Sequence, residues 1–467
     1  MNHSKLSVKD FLEKSKTGEI DLKGFFEKLY EKIQELNRKY NFFITVSDFR
    51  EERTENGKIK GLPVSVKDNI CVKGMRCTAG SRILETYVPV FDATVIERIR
   101  NEGGVIIGKT NQDEFGFGTF STNSGFDVPK NPLDPERTCG GSSGGAAGLT
   151  AALNYPHIAL GQSTGGSISC PASFCGVVGL TPTYGLVSRY GLIDYANSLD
   201  KIGPIGKSVE DVSILLSVIS GKDKKDATCA GEKKDYFANL SSEAKGMRIG
   251  VPKEYFGEGV DERISETVWN GIKKLESIGM EYEETQLPST KYALPAYYII
   301  ATAEASTNLA KFCGMRYGAE EKIEGSFDEY FSKVRTKYFG EEAKRRILLG
   351  TYARMAGYRD KYYLKALQVR TIVIQEFKKA FKKYDALIAP AMPVIAPKFK
   401  EIEKMNPLDV YMMDILTVAP NLAGIPMLSV PCGKIQGMPA GMHILGNHFE
   451  EQKILNIGLV FEKEVKT

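Results

Sequence analysis

Two serines set in glycine are the residues of this chain best suited to chemistry. Ser142 lies within Gly140-Gly141-Ser142-Ser143-Gly144-Gly145, and Ser167 closes Thr164-Gly165-Gly166-Ser167. Glycine lets a backbone adopt positive φ or approach a ligand without a clashing Cβ. Two such loops in succession suggest main-chain N–H groups gathered around a reactive oxygen. A serine nucleophile needs a base, and the chain holds only 4 histidines, at 3, 157, 443 and 448. None lies near Ser167 in sequence, so a Ser-His-Asp arrangement has little support. A lysine drawn into an apolar pocket loses its charge readily and can replace histidine. Lys67 is such a candidate, because Leu62, Val64 and Val66 surround it with apolar side chains.

The elements that must hold these residues are legible in outline. Residues 7 to 40 read as helical, with Ser7 as N-cap and Phe11, Leu12, Phe25, Phe26, Leu29 and Ile33 near helical spacing. Between 61 and 211, short apolar runs at Val64–Val66, Val105–Ile107 and Ile158–Leu160 alternate with helical stretches at Ala93–Asn101 and Gly145–Leu153. That alternation predicts an α/β sheet. Both serine loops then fall at strand or helix ends, where such sheets place their sites. Residues 221–246 carry Lys222, Lys224, Lys225, Lys233, Lys234 and Lys245 among Asp, Glu and Ser, the pattern of a solvated surface loop. Beyond it, Arg248–Pro252 reads as a strand, and Ile264, Val268, Ile272 and Leu275 mark one face of a helix. Further helices are expected across 293–384, with late strands at Ala386–Ala389 and Met427–Val430.

Composition limits the function classes. The chain is 42% hydrophobic and 26% charged, as in ordinary globular proteins, and its net charge of +4 neither demands nor excludes a nucleic-acid partner. The 8 cysteines form no C-x-x-C pair and no zinc-spaced cluster with histidine, which predicts buried thiols in a reducing compartment and no bound metal. No apolar run follows Met1–Lys5, and no window approaches a spanning helix, so a cytosolic protein without membrane contact is expected. Gly103-Gly104-Val105-Ile106-Ile107-Gly108-Lys109-Thr110 matches the phosphate-loop pattern letter by letter. Its middle, however, is apolar strand, and Asp113 and Glu114 follow where phosphate would sit.

Lys67, the two serine loops and Pro171-Ala172-Ser173-Phe174-Cys175-Gly176-Val177-Val178-Gly179-Leu180-Thr181-Pro182-Thr183 together resemble the amidase signature family, from Gly61 nearly to the end of the chain. The resemblance implies one amidase-signature α/β domain over residues 1–467. Its large mixed β-sheet is flanked by helices on both faces. Within it, 1–60 forms an N-terminal helical segment, 61–211 the catalytic core, 221–246 a surface loop and 247–467 the rest of the sheet and the pocket helices. It implies a Ser–cis-Ser–Lys set with Ser167 as nucleophile, Ser142 as the bridging cis serine and Lys67 as base. The backbone N–H groups of Thr164, Gly165, Gly166 and Ser167 would form the oxyanion hole. Ser163 and Ser169 depart from the family, which commonly carries Asp and Arg at those places. The spacer between the two loops is also one residue longer, within Leu153–Pro156.

Motifs of the second half are similar to those of the family's glutaminase subunits of tRNA-dependent amidotransferases. They include Tyr297-Tyr298-Ile299-Ile300-Ala301, Lys344-Arg345-Arg346-Ile347 and Tyr411-Met412-Met413-Asp414. That likeness implies that Arg346 holds the α-carboxylate of glutamine and Asp414 its α-ammonium, with Tyr297 also at the substrate. It implies no cofactor in this chain. ATP and Mg2+ would serve a B-type kinase/transamidase partner beside a small C-type subunit, with tRNA bound mainly through the partner. The alternatives are a stand-alone amidase acting on free amides and a non-catalytic scaffold subunit.

Overall fold

A computed structural model describes residues 6–50 and 56–466. The stretch Met1–Lys5, read above as lacking an export signal, lies outside the described residues.

Among the described residues, eleven strands form one sheet: β1 (Phe43–Val46), β2 (Pro63–Lys67), β3 (Val105–Thr110), β4 (Ile158–Ser163), β5 (Val178–Thr181), β6 (Lys201–Gly206), β7 (Arg248–Pro252), β8 (Glu281–Thr285), β9 (Ala386–Pro390), β10 (Met427–Ile435) and β11 (Met438–Leu445). Their order across the sheet is β1-β3-β2-β4-β6-β5-β10-β11-β9-β7-β8. β2 runs parallel to β3 and β4, and β7 parallel to β8 and β9, while the strands between them pair antiparallel. The sheet is therefore mixed. It is continuous across the two sequence regions flanking the charged loop, because β5 pairs with β10.

Helices cover both faces. The first half contributes α1 (Val8–Thr17), α2 (Leu22–Tyr40), α3 (Thr94–Asn101), α4 (Gly144–Ala152), α5 (Ser169–Cys175) and α6 (Val209–Ile219). The second half contributes α7 (Glu262–Ser277), α8 (Ala293–Asn308), α9 (Phe327–Tyr338), α10 (Glu341–Arg354) and α11 (Lys365–Ala380), followed by the short α12 (Phe399–Ile402), α13 (Pro407–Met412) and α14 (Val418–Ala423), and by α15 (Glu451–Lys466). Strand alternation sorts side chains into two cores. Ile388, Leu428 and Ile444 join one apolar cluster, while their chain neighbours Leu387, Met427 and Leu445 join the other.

Several expectations change on contact with the structure. The helical stretch 7–40 is two helices, because Gly18 takes φ 78° and closes α1 before α2 begins at Leu22. The N-terminal segment also contributes a strand, β1, to the sheet edge. The loop 221–246 is tethered rather than merely solvated. Asp226 accepts the Arg189 N–H at 2.9 Å, and Tyr236 is buried. The phosphate-loop match is strand β3, with Lys109 buried and 3.1 Å from Asp68 Oδ1, so no phosphate cradle exists there. All 8 cysteines are free, and among the described residues no helix is long and apolar enough to cross a membrane.

Candidate active site

Two strand ends and one helix start converge. Lys67 ends β2, the loop 164–168 joins β4 to α5, and Ser142 precedes α4. The Gly141–Ser142 peptide is cis. Only glycine fits at Gly141, since a Cβ there would strike Asp113 Oδ2 and the backbone N of Ser121. Gly165 is fixed for a similar reason, because a Cβ would enter the ring and hydroxyl of Tyr297. Gly166 has φ 149° and faces Thr417. The loops are tied together by the Ser143 N–H, which donates to the Ser167 carbonyl at 3.2 Å. Lys67 and Ser142 are fully buried, and Ser167 keeps 8% of its surface in contact with solvent. Of the three, Ser167 is therefore the one a substrate can reach.

The hydrogen bonds around Lys67 define its protonation chemistry. Its Nζ lies 2.6 Å from Ser142 Oγ, 2.9 Å from the Gln162 carbonyl oxygen and 3.2 Å from Gln162 Oε1. The last two groups only accept. Gln162 is oriented this way because its Nε2 donates to Thr164 Oγ1 at 2.8 Å and to Asp200 Oδ1 at 3.0 Å. A neutral amine has two N–H bonds and one lone pair. Both N–H bonds are directed to Gln162, and the lone pair is left facing the Ser142 hydroxyl. Burial brings the Lys67 pKa down to about 7, with the charges of Asp113 and Asp200 opposing the shift. The neutral base is thus well populated at neutral pH.

The carboxylates near this pair are themselves buried. Asp113 accepts the N–H groups of Ser121 (3.0 Å) and Asn123 (2.9 Å), and burial pushes it up to about 6. Asp200 is pushed up to about 7 by burial, against the hydrogen bonds it accepts from Thr164 (2.6 Å) and Tyr195 N–H (2.9 Å). Of the four N–H groups expected to form the oxyanion hole, that of Gly166 donates to Ser163 Oγ at 3.2 Å. Ser169 Oγ is buried and makes no hydrogen bond within the protein.

The second group of candidates forms an aromatic cage. Arg346, on α10, is buried and donates from Nε to Glu342 Oε1 at 2.7 Å and from a terminal nitrogen to Tyr195 Oη at 2.6 Å. Its guanidinium lies 5.2 Å from the Phe117 ring centre and 5.3 Å from that of Tyr298. Tyr298 stacks on Tyr411 at 4.2 Å and donates its hydroxyl to Asp414 Oδ2 at 2.7 Å. Thr119 donates to Asp414 Oδ1 at 3.0 Å. Burial pushes Asp414 up to about 6, against these hydrogen bonds and the positive charge of Arg346. Tyr297 packs edge-on to Tyr298 and sits on Gly165, so it links the cage to the serine loop. A cation and an anion in one buried cage suit a zwitterionic ligand.

Sequence reasoning missed Gln162, Asp200, Tyr195 and Glu342. Gln162 and Glu342 each stood two residues before a motif, and Glu342 is the i−4 neighbour of Arg346 on α10, whereas Asp200 and Tyr195 come from a distant segment. Among the described residues no cluster of three or more His, Cys, Asp and Glu side chains could hold a metal ion.

Residues 25–455 match the family model described as Amidase. The chain is 53% identical over 407 residues to the A-type subunit of glutamyl-tRNA(Gln) amidotransferase from Methanococcoides burtonii, covering 87% of this chain and 85% of that relative. It is 46% identical to the protein of the same name from Caldanaerobacter subterraneus, over 99% of this chain and 96% of the relative. Among solved structures, the A-type subunit of glutamyl-tRNA(Gln) amidotransferase from Thermotoga maritima superposes with a TM-score of 0.85 at 39% identity, covering 99% of this chain and 95% of its own. The peptide amidase of Stenotrophomonas maltophilia gives 0.81 at 27% identity, covering 100% of this chain and 98% of its own.

Proposed function

The chain belongs to the amidase family, and from that premise we propose that it is the glutamine-hydrolysing subunit of a tRNA-dependent amidotransferase. Ser167 attacks the side-chain amide carbon of glutamine. Its proton passes to Ser142, whose own proton moves to the lone pair of Lys67. Backbone N–H groups of the loop 164–167 hold the developing oxyanion, and one such donor is typically worth about 2.7–4 kcal/mol. The amide nitrogen leaves as ammonia after taking a proton back along the same relay. Water then hydrolyses the acyl-enzyme. Arg346 and Asp414 hold the α-carboxylate and α-ammonium of glutamine, and Tyr297 closes the pocket over the loop.

The observation that carries this reading is the placement of buried Lys67, whose Nζ lies 2.6 Å from Ser142 Oγ and within reach of two acceptors of Gln162, so that a neutral amine there can give both N–H bonds to Gln162 and turn its lone pair to Ser142. A silent scaffold subunit would have no use for that arrangement. The relatives are named as the A subunit of glutamyl-tRNA(Gln) amidotransferase, which supports a complex of more than one subunit. In our reading, ammonia passes to a B-type kinase/transamidase subunit that uses ATP and Mg2+, with the help of a small C-type subunit. That partner amidates Glu-tRNA(Gln), the substrate in the relatives' names, and assay of the complex on Asp-tRNA(Asn) decides whether it takes that substrate as well. The reaction takes place in the cytosol.

The test is to trap the acyl-enzyme. A glutamine-like electrophile followed by peptide mapping is expected to mark Ser167, whereas an adduct on Ser142 or on a cysteine overturns the assignment. In a complex co-expressed with the partner subunits, Ser167→Ala is expected to abolish glutamine-dependent amidation and to spare amidation by free ammonia. A wild-type enzyme that prefers a plain aliphatic amide to glutamine would establish the stand-alone amidase instead.

A further inference from the structure

The outer side of α10 and the turn after it form a surface that the glutamine chemistry does not use. The helix has two faces. Glu342, Arg346, Gly350 and Ala353 recur every three or four residues and are buried, on the side that meets α8 and the cage. Leu348 and Tyr352 fall on the far side, with Leu349 between, and all three stand in solvent, Leu348 with 71% of its surface exposed. Polar residues ordinarily occupy that side of a surface helix. Beyond α10, residues 354–362 are exposed without a break, and they include Met355 and Tyr358.

The exposed turn is held in shape. The rings of Tyr352, Tyr358 and Tyr362 form one cluster, with centres 4.6, 5.8 and 6.1 Å apart. The Met355 carbonyl accepts the N–H of Tyr358 at 3.0 Å and of Arg359 at 3.1 Å. The Leu364 N–H donates to the Arg359 carbonyl at 3.0 Å, closing a turn of π-helix. Leu348, Leu349 and Met355 therefore adjoin three tyrosines whose positions are already fixed. A contiguous exposed apolar patch edged by polar residues marks an interaction surface.

The edge of the patch is basic. From Lys344 to Lys365 the chain carries 7 basic residues against the single acid Asp360, an excess of 6 in a chain whose whole excess is 4. Arg345, Arg354, Arg359, Lys361 and Lys365 are exposed. A symmetric contact between two copies of this chain would set these like charges against each other. A nucleic-acid backbone would call for cations at the centre, and the centre is Leu348, Leu349 and Met355. Exposed Tyr, Met and Arg beside aliphatic side chains suit a protein interface.

We infer that this patch docks the partner subunit that receives the ammonia, and that the partner meets it with an apolar face edged by Asp and Glu. The inference rests on the reading of this chain as one subunit of an amidotransferase, as the relatives are named. Leu348, Tyr352 and Met355 enter the partner's apolar face, and Arg359 and Lys361 pair with its carboxylates at the rim. The partner then stands one helix, about 10–12 Å, from the glutamine cage.

Purified subunits test this, with affinity for the partner measured for the wild type and two double variants. Leu348→Asp with Met355→Asp is expected to weaken binding about a hundredfold, the scale of losing central apolar anchors. Arg359→Glu with Lys361→Glu is expected to weaken it about tenfold at low salt, with the loss shrinking as salt rises. Every changed side chain is exposed, so both variants should melt with the wild type by circular dichroism. Wild-type affinity in both variants overturns the proposal alone. So does unchanged partner affinity with lost binding to anionic vesicles or to tRNA, which would assign the patch to a lipid surface or to nucleic acid. A wild-type chain that binds no partner subunit overturns the amidotransferase reading and the docking surface with it.

Discussion

Lys67 and Arg346 are both buried cations, and their surroundings ask opposite things of them. Burial brings the Lys67 pKa down to about 7 beside two acceptors of Gln162, and the proposed mechanism uses it through the loss of its charge. Glutamine hydrolysis is expected to rise with pH through about 7, because the ammonium that dominates below that value has no lone pair to offer. Lys67→Arg keeps the charge but cannot surrender it, and is expected to be as inactive as Lys67→Ala, with the fold retained by circular dichroism. Asp200 acts one bond further out by fixing which way the Gln162 amide points. Asp200→Asn is expected to lower kcat by about tenfold, near the 1.4 kcal/mol of one hydrogen bond, and to move the pH profile without changing KM. An unmoved profile would mean that Asp200 only supports the fold. The role proposed for Arg346 requires it to keep its charge. Two of its five N–H bonds go to Glu342 and Tyr195, and others remain for a carboxylate. Arg346→Ala is expected to weaken glutamine use by about ten- to a hundredfold, equivalent to 1.5–3 kcal/mol, and to spare a plain amide that lacks the α-carboxylate. Equal damage to both substrates would make Arg346 a structural residue.

At the scale of elements, the cage depends on how closely α10 lies against α8. Glu342 and Arg346 occupy one face of α10 a turn apart, and Tyr297 and Tyr298 face them from α8. Gly350 sits one turn beyond Arg346, and a Cβ there would strike the Thr302 carbonyl of α8. Gly350→Ala is thus expected to push the helices apart and raise KM for glutamine about tenfold, the scale of one lost charge-assisted contact. Turnover of a plain amide should change less. Equal kinetics on both substrates would show that the helix pair yields without moving Arg346. The short α5 holds the other side of the site, since Ile168 and Ala172 would meet any Cβ placed on Gly179 of β5.

The whole sheet also buries charge that the chemistry does not use. Lys201, on β6, is buried, and its Nζ makes no hydrogen bond within the protein. Burial brings it down to about 7 from 10.5, the Arg370 charge pulls the same way, and Asp200 opposes. The unfolded chain therefore binds this proton more tightly, and the fold bears the full cost below about pH 7. Lys201→Met is expected to stabilise the protein by about 1–3 kcal/mol at pH 7 and below, as removal of an unsatisfied buried donor should. The gain should shrink as pH rises from about 7 to 10.5 and level off above that, where the wild-type lysine is neutral in both states. Chemical unfolding at several pH values checks this, and a gain independent of pH would indicate packing alone.

The sequence by itself singled out the two glycine-set serine loops and Lys67, because each is a local pattern of glycine, hydroxyl or apolar neighbours that needs no partner to be noticed, while the roles proposed for them came from the family resemblance. It determined β2, β3 and β4 for the same reason, and it rejected a phosphate loop whose middle had to be strand. The tertiary structure decided the rest. β8 is Glu281-Tyr282-Glu283-Glu284-Thr285, which carries no apolar signal and exists because it pairs with β7. β6 contains Gly203 and Pro204 and reads locally as a turn, yet it runs buried between β4 and β5. The charge of Lys67 was likewise undecided until Gln162, Asp113 and Asp200 arrived from three other segments. A lysine's pKa and a carboxylate's role depend on which groups lie within a few ångströms, and that neighbourhood is assembled only when distant strands and helices close around it.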